Sequence, residues 1–444
     1  MRTVKLQLSV EGNEKAVLTD MCHCAKNLYN SALYIIRQEY HRTKTHFSEN
    51  KTDKLMRTDN PKIYYKLNSV AAQRVIKQLA EDYKSFFGLI KAKAAGTIDF
   101  QPRPPKYKKK SGLIPVSLND RSFRFDGDKI KISTSKYHRN KFGLRVLVLP
   151  IGNYIDTSSV KEVEIIPLGF GRFELQFKYE EKPVAKVSGT GTLSIDMGLD
   201  VLAAMTSSLG DAILVSGKQL KSINRQWNKT RAKLYSLIDT EKNFYKKLRL
   251  KETLRNIDRR RNRTVLDIMH KVSRNIVRHA EENGITTIIV GKNDGWKQGI
   301  NIGAKNNQKF VQIPHAKLLE LLKYKGEEKG INVVFQEESY TSKCDSLASE
   351  PIQKHENYMG RRKKRGLFLS STGKLIHADI NASMNVERKR NGNSAITSKI
   401  AAIGRVFRPR YAPPWGQLQA SPKSCPRIWS QAPSSTASAV GRGN

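Results

Sequence analysis

Cysteine, acidic residues and long apolar runs are all scarce in this chain, and each scarcity excludes a class of protein. The 444 residues include 4 Cys, too few for the disulfide framework of a small secreted fold. No apolar run approaches the length of about 18 residues that a transmembrane helix needs. The first residues, MRTVKLQLSVEGNE, lack the apolar stretch of a signal peptide. We therefore expect a cytoplasmic protein with no membrane partner.

The shortage of acids leaves a large excess of positive charge. Lysine and arginine together number 80 against 40 Asp and Glu, which gives a formal net charge of +40. An excess this large needs a polyanionic partner, and nucleic acid is the best candidate. Charge alone does not distinguish an enzyme from a passive nucleic-acid binder.

Two changes of hydrophobic period divide the first half of the chain. Residues 1–12 alternate between apolar and polar and predict a strand, whereas apolar residues recur every three or four positions within 13–97 and predict helices. Residues 41–60 in that stretch are polar and basic and predict a loop. From 98 to 183 the period is two again, with Asp126-Gly127 at a hairpin turn. We predict an N-terminal β-barrel or sandwich (1–12 and 98–183) with a helical insertion (13–97).

The second half of the chain predicts an α/β domain, so the whole protein is expected to be multidomain α+β. Its order is β-β-β-α-β-α-β-α, with the fifth strand at 331–335 and the last helix at 378–390. That is the order of an RNase H-like nuclease core, in which the fourth strand lies between the first and the fifth. Residues 404–444 contain no acid and are rich in Ser, Pro and Ala, so we predict a disordered basic tail.

Three acidic positions of this domain follow strands or open a helix. Asp196 ends the apolar strand TLSI, Asp379 is predicted to cap the last helix, and Glu337 and Glu338 follow the fifth strand. Carboxylates from separate elements can hold the two divalent cations of a phosphodiester hydrolase, and oxygen ligands suit Mg²⁺ or Mn²⁺. The alternative is that each acid is a turn residue, a cap or a surface charge. Their order in the fold, and not their residue type, favours the metal site.

Three segments together resemble a known family. SIDMGLDVLAAMTSS resembles the first RuvC motif of the TnpB proteins, ESYTSKC resembles the start of their zinc ribbon, and HADINASMN resembles their third RuvC motif. TnpB proteins are RNA-guided DNA endonucleases encoded by bacterial insertion sequences and are related to type V CRISPR effectors. The resemblance covers residues 1–390. It implies a wedge domain (1–12 and 98–183), a recognition insertion (13–97), a RuvC nuclease domain (190–340 and 374–392) and a ribbon insertion (341–373).

The resemblance also implies a function and its partners. A guide RNA from the end of the element would pair with one DNA strand, and the protein would cut double-stranded DNA beside a short adjacent motif, using Mg²⁺ or Mn²⁺. Such a protein would associate with the bacterial nucleoid. The alternatives are a catalytically inactive RNA-guided repressor and a transposase or guide-independent nuclease.

One departure from the family concerns the second RuvC motif. Members usually carry a Glu at the end of the fourth strand, whereas this chain has Gly291 in the segment IIVGKN. Neighbouring strands are about 4.8 Å apart, so a Glu after the fifth strand could replace the lost carboxylate. Glu338 is the favoured candidate, and Glu337 remains the alternative because strand parity is not fixed by the sequence. The predicted metal ligands are Asp196, Glu338 and Asp379.

A second departure concerns zinc. The ribbon segment has Cys344 alone, and LSST stands where the family often has a second cysteine pair. His355 and His377 do not complete a legible set of four ligands, so we predict a degenerate ribbon without zinc. Cys22 and Cys24 lie in the first predicted helix and are expected to pack in the hydrophobic core.

Basic side chains form three clusters that we expect to contact nucleic-acid phosphates. Trp296 lies in a polar segment and is expected to stack on a base. The basic candidates are Lys108, Lys109, Lys110, Arg259, Arg260, Arg261, Arg263, Arg361 and Arg362.

Overall fold

The structure is a computed structural model that describes residues 2–8, 10–43, 48–152, 156–169, 171–180, 188–292, 312–392 and 409–414. The chain divides into two compact units, Met1–Lys182 and Pro183–Asn444. Within the described ranges, no helix combines the length and the apolarity needed to cross a bilayer.

Unit 1 contains helices because apolar residues recur along it at helical spacing. Leu18, Cys22, Ala25 and Tyr29 all face the core from its first helix. The helices are α1 (Gly12–Thr43), α2 (Glu49–Asp59), α3 (Pro61–Tyr64), α4 (Ser69–Ala94) and α5 (Lys136–Phe142).

Helix α2 lies in the segment 41–60 that was predicted to be a loop, and that prediction is wrong for residues 49–59. Ser48 caps the helix, because its side chain accepts a hydrogen bond from the Lys51 N–H at 3.3 Å. Only Thr52 and Met56 are buried on α2. A helix with so narrow an apolar face has no strong period in its sequence.

The strands of unit 1 form two open sheets, and the predicted closed barrel is not found among the described residues. The larger sheet has the antiparallel order β1-β7-β6-β2, and the smaller one has the order β3-β4-β5. Helices α1 and α4 pack against the larger sheet at β6 and β2, so helices instead of further strands cover it. The strands are β1 (Arg2–Leu8), β2 (Val116–Asn119), β3 (Phe123–Asp126), β4 (Lys129–Ser133), β5 (Val146–Pro150), β6 (Val160–Gly169) and β7 (Arg172–Tyr179).

Unit 2 is built on a six-stranded mixed sheet. The strands are β8 (Gly191–Met197), β9 (Val201–Ser207), β10 (Ala212–Ser216), β11 (Ile285–Gly291), β12 (Asn332–Gln336), β13 (Arg361–Lys364), β14 (Leu367–Leu369), β15 (Leu375–His377) and β16 (Arg410–Ala412). The large sheet has the order β12-β11-β8-β9-β10-β16, and β13, β14 and β15 form a small separate sheet. Strand β11, the fourth, therefore lies between the first and the fifth, as predicted.

Helices cover both faces of this sheet. They are α6 (Lys218–Thr240), α7 (Phe244–Glu282), α8 (His315–Glu328) and α9 (Ala378–Asn391). One apolar cluster joins Leu193 and Ile195 to α7 and α8, and another joins Ala204 and Leu214 to α9. Side chains alternate along a strand, so every second residue of β8 points toward α9.

Strand β16 corrects the prediction of a tail disordered from residue 404 onward. Arg410–Ala412 pairs in parallel with β10, with Ile213 opposite Arg410 and Val215 opposite Ala412. Ala412 is buried in the apolar cluster beneath the sheet. The segment is basic and poor in apolar residues, but an exposed sheet edge supplies backbone hydrogen bonds that need no apolar pattern.

Candidate active site

Asp196 lies near the end of β8 on the face that α9 covers. It shares this face with Ser194, whose backbone carbonyl accepts a hydrogen bond from Ser383 Oγ of α9 at 2.9 Å. Leu193, Ile195 and Met197 point to the opposite face and its apolar cluster. Because side chains alternate along β8, the carboxylate of Asp196 points toward the start of α9.

Asp379 lies in the first turn of α9, but it is not the helix cap that the sequence predicted. The N-cap residue is His377, and its Nδ1 accepts a hydrogen bond from the Asp379 N–H at 3.3 Å. Asp379 is consequently the second residue of the helix. A carboxylate there also interacts favourably with the positive end of the helix dipole.

Glu338 occupies the space that a side chain at position 291 would need. A Cβ built on Gly291 would lie 2.5 Å from Glu338 Oε2 and 3.2 Å from Val386 Cγ2. Gly291 on β11 is paired with Gln336 on β12, and Glu338 lies two residues after Gln336. The carboxylate of Glu338 thus lies beside the end of β11.

Glu337 points elsewhere and has other partners. Its Oε1 accepts a hydrogen bond from the Ser339 N–H at 2.7 Å, and its Oε2 pairs with Lys389. This ion pair lowers the pKa of Glu337. Of the two neighbours that the sequence left open, the structure brings Glu338 and not Glu337 to the end of β11.

The pKa values of Asp196, Glu338 and Asp379 are all raised, and burial is the largest cause for each. Burial raises the pKa of Asp196 well above its usual range, and the charges of Asp379 and Glu338 raise it further. Burial, followed by the charge of Glu337, raises the pKa of Glu338 to about 7. Burial also raises the pKa of Asp379, although His377 and Arg362 oppose that effect. The site concentrates negative charge that the surrounding chain does not fully balance.

This donor set fits divalent cations that prefer oxygen. Three carboxylates from two strand ends and a helix start would hold Mg²⁺ or Mn²⁺, whose charge relieves the repulsion between them. Across the described residues, these three do not have ligand oxygens all within 4.8 Å of one another.

The ribbon insertion has a carboxylate at its centre. Asp345 is fully buried, and its Oδ2 accepts hydrogen bonds from Ser370 Oγ at 2.8 Å and from the Ser371 N–H at 2.7 Å. Its Oδ1 accepts from the N–H groups of Leu347 and Ala348 at 3.1 and 3.4 Å. The two serines belong to the LSST segment. One buried acid therefore joins the turn after Cys344 to the LSST segment.

Helix α9 is also tied to this insertion. The side-chain amide of Asn385 donates to the backbone carbonyls of Thr341 and Cys344, at 2.8 and 2.7 Å. Thr341 in turn donates from its N–H and its hydroxyl to the carbonyl of Glu338. A chain of hydrogen bonds therefore runs from the helix that carries Asp379 to the turn that carries Glu338.

The predicted nucleic-acid contacts fall into two groups. Exposed side chains include those of Lys108, Lys109, Lys110, Arg260, Arg263, Arg361 and Arg362. Arg362 Nη2 lies 3.8 Å from Asp379 Oδ1, directly beside the carboxylates. Trp296 lies outside the described residues.

Arg261 is the clearest exception among those candidates. Its guanidinium donates to Asn224 Oδ1 at 2.7 and 2.9 Å and to the carbonyl of Gln312 at 2.7 Å, and it stacks over Trp227. The cluster containing it lies within α7 and not before a helix. Arg259 is partly buried as well. Helical rotation turns adjacent arginines to different faces, which a sequence run does not reveal.

Two structural residues near the site are not evident from the sequence. A buried acid such as Asp345 and a surface acid look alike in a sequence. His377 lies two residues before Asp379, which is the spacing of an N-cap.

Comparison with known proteins shows which families the chain resembles. Residues 176–297 match the family OrfB_IS605, described as a probable transposase, and residues 315–386 match the family described as Cas12f1-like, TNB domain. The chain is 24% identical over 421 residues to the TnpB-like protein ORF457 of Acidianus two-tailed virus, and the alignment spans 88% of this chain and 87% of that protein. The chain is therefore similar to a TnpB-like protein over most of its length.

Two further similarities extend this result. The chain is 26% identical over 246 residues to the CRISPR-associated endodeoxyribonuclease Cas12f2 of Micrarchaeota archaeon (strain CG1_02_47_40), covering 52% of this chain and 43% of that protein. Its fold is similar to that in the cryo-EM structure of the Cas12f1-sgRNA-target DNA complex, with a TM-score of 0.55 and 13% identity over 85% of this chain and 83% of the other. The multidomain α+β fold of this chain therefore resembles that of Cas12f1.

Proposed function

We propose that the protein is an RNA-guided, metal-dependent endonuclease that cuts double-stranded DNA beside a short adjacent motif. The observation that carries this proposal is the placement of Glu338. A binder that had lost its catalytic acid would have no reason to fill the space at Gly291 with a second carboxylate, yet Glu338 Oε2 lies there. The match to the OrfB_IS605 family and the net charge of +40 support nucleic acid as the substrate.

Asp196, Glu338 and Asp379 would hold the cations. When bound, Mg²⁺ or Mn²⁺ supplies charge stabilisation for the attacking and leaving oxygens of the scissile phosphate. Arg362 is exposed beside Asp379 and would hold a neighbouring phosphate against the negatively charged site. The proposal requires no other side chain to move a proton.

The partners follow from charge and family. We propose a guide RNA transcribed from the end of the element and a target DNA duplex, with base pairing supplying sequence recognition. The solved Cas12f1 relative is a complex with sgRNA and target DNA, which supports this choice of partners. The exposed lysines and arginines would contact phosphates and fix the position of the nucleic acid without reading its sequence. Residues 1–12 with 98–183 would be the wedge domain and 13–97 the recognition insertion.

The experiment that tests this function is guided cleavage of a plasmid carrying the adjacent motif, with Mg²⁺. Asp196→Ala, Asp379→Ala and Glu338→Ala should each lower the rate by about a thousandfold or more, since each removes several kcal/mol of transition-state stabilisation. Guided DNA binding should be unchanged in all three. Glu337→Ala is the matched control and should be mild, because it removes the partner of Lys389 and of the Ser339 N–H but no proposed metal ligand. Full-rate cleavage by the Glu337→Ala, Glu338→Ala double variant would contradict the displaced acid.

A second candidate is an RNA-guided repressor that binds DNA without cutting it. Gly291 favours it, because the family position that usually supplies Glu has no side chain here. The retention of Asp196 and Asp379 opposes it. Guided binding by the wild-type protein with no cleavage in Mg²⁺ or Mn²⁺ would establish the repressor instead.

A further inference from the structure

We propose that Asp20, Cys24 and His138 form a Zn²⁺ site that joins α1 to α5 in unit 1. Asp20 and Cys24 are one turn apart on α1, and His138 lies on α5. Their ligand atoms all lie within 4.8 Å of one another. This cluster is separate from the carboxylate site and from the ribbon, and neither uses any of its residues.

Hydrogen bonding leaves one nitrogen of His138 available as a ligand. The hydroxyl of Ser135 donates its single proton to the carbonyl of Lys66 at 2.7 Å. Ser135 Oγ must therefore accept from His138 Nδ1–H, which lies 2.7 Å away. Nδ1 carries the proton of the neutral ring, and Nε2 presents its lone pair to the cluster.

The available nitrogen is buried and faces a carboxylate. His138 is 1% exposed, and its Nε2 makes no hydrogen bond, although Asp20 Oδ2 lies 3.3 Å away. Two acceptors that face each other in a buried place need a cation or a proton between them. Lys141 does not fill this role, because it pairs with the other oxygen, Asp20 Oδ1, at 2.8 Å.

Two of the three separations between ligand atoms are close to those of a tetrahedral zinc site. Zn²⁺ lies about 2.0 Å from nitrogen and oxygen ligands and about 2.3 Å from sulfur, so tetrahedral angles place N and O about 3.3 Å apart and O and S about 3.5 Å apart. The structure has Asp20 Oδ2 at 3.3 Å from His138 Nε2 and at 3.7 Å from Cys24 Sγ. Nitrogen, sulfur and oxygen donors together suit Zn²⁺ and not Mg²⁺. A water would complete the four ligands.

Cys24 carries a proton until the metal binds. Burial, followed by the charge of Asp20, raises the pKa of the Cys24 thiol to about 12. Zinc replaces that proton, which leaves to solvent, so binding forms one Zn–S bond and releases one proton. The bound ion would fix α5 on α1 and stabilise the folded state.

The test is the metal content of the full-length protein. Wild-type protein dialysed with Zn²⁺ and then freed of excess should retain one Zn²⁺ per chain, and its melting temperature should rise on Zn²⁺ addition. Cys24→Ser, which is nearly isosteric, should lose the ion, and so should His138→Gln. Cys22→Ser is the matched control, since Cys22 is an equally buried cysteine on α1 outside the cluster.

Co²⁺ provides a second measurement that identifies the ligand. Wild-type protein with Co²⁺ should show a thiolate-to-metal charge-transfer band, which Cys22→Ser should retain and Cys24→Ser should lack. This result does not depend on whether His138→Gln folds. Failure of wild-type protein to retain Zn²⁺ would overturn the proposal. Loss of the ion in Cys344→Ser with retention in Cys24→Ser would also overturn it, because the metal would then belong to the ribbon.

Discussion

Gly291 is the residue at which the absence of a side chain has the largest consequence. Glu338 Oε2 lies within 2.5 Å of the place where a Cβ would be, and Val386 closes the other side. The two positions are therefore coupled: a carboxylate can approach this point from β11 or from the residues after β12, but not from both without a shift.

This coupling predicts that Gly291→Ala impairs cleavage although it adds only one methyl group. The methyl group would displace the Glu338 carboxylate, so we expect the rate to fall by about tenfold or more, which corresponds to about 1.4 kcal/mol. Guided binding should be unchanged. Gly88→Ala is the control, because a Cβ there would meet nothing within 4 Å. In the Glu338→Ala background, Gly291→Glu should restore part of the lost rate, and no gain at all would contradict the coupling.

The charge of Glu338 also predicts a dependence of stability on pH. Its pKa of about 7 in the folded protein is above the ordinary 4.5, so the folded state holds the proton more tightly than the unfolded state. The stability from this group is complete below pH 4.5 and is lost as the pH rises through 7. In metal-free protein at pH 8, Glu338→Gln should therefore raise the melting temperature by several degrees.

Two comparisons check that explanation. At pH 5, Glu338→Gln and wild type should melt at similar temperatures, and at pH 8 Mg²⁺ should stabilise the wild type more than the variant. Glu337→Gln should not raise the melting temperature at pH 8, because its ion pair with Lys389 stabilises the charged form. Equal melting temperatures of Glu338→Gln and wild type at pH 8 would show that the folded protein does not disfavour the charged form of Glu338.

At the scale of elements, the small sheet and the loops around it depend on Asp345. This residue links the turn after Cys344 to the serines of LSST, and α9 holds the same turn through Asn385. Because Thr341 donates a hydrogen bond to the carbonyl of Glu338, the order of residues 341–373 and the position of Glu338 are connected.

Asp345→Ala should destabilise the insertion and lower cleavage more than guided binding. The change leaves several buried donors without an acceptor, which costs about 3 kcal/mol or more. Limited proteolysis should show new cuts within residues 341–373. Glu356→Ala is the matched control, since that acid lies in the same insertion and is exposed. A protease-resistant insertion in Asp345→Ala would mean that other contacts hold the loops together.

For the whole molecule, the net charge of +40 predicts the behaviour of the purified protein. Protein expressed with its native flanking DNA should co-purify with one defined RNA. Binding should weaken steeply with salt, with a log–log slope of roughly −0.7 to −0.9 for each phosphate neutralised. Sequencing of the bound RNA and a salt titration measure these two properties. Recovery of heterogeneous fragments only, with no target choice conferred by added guide, would contradict guided binding.

Basic residues that are close together in the sequence differ in their surroundings in the structure. Arg261 binds Asn224 and Gln312 within unit 2, whereas Arg263 on the same helix is exposed. Equal charge in a sequence run therefore does not mean equal availability to RNA.

The sequence by itself determined the period of most elements, because burial of one face sets the spacing of apolar residues along a strand or helix. The position of the fourth strand between the first and the fifth was predicted from the likeness of the element order to an RNase H-like core, and the six-stranded sheet confirms it. The pattern of apolar residues did not predict helix α2 or strand β16, since neither buries enough apolar surface to give a recognisable hydrophobic period. The predicted barrel failed because the pairing of sheet edges depends on what packs against the sheet.

Only the tertiary structure placed Glu338, and not Glu337, beside Gly291 and brought His138 to Asp20 and Cys24. The parity of two adjacent residues after a strand depends on the turn that follows, and here Thr341 and α9 fix that turn. His138 is more than a hundred residues from its neighbours on α1. Residues so far apart meet through the packing of whole elements, and a local pattern in the sequence carries no record of that contact.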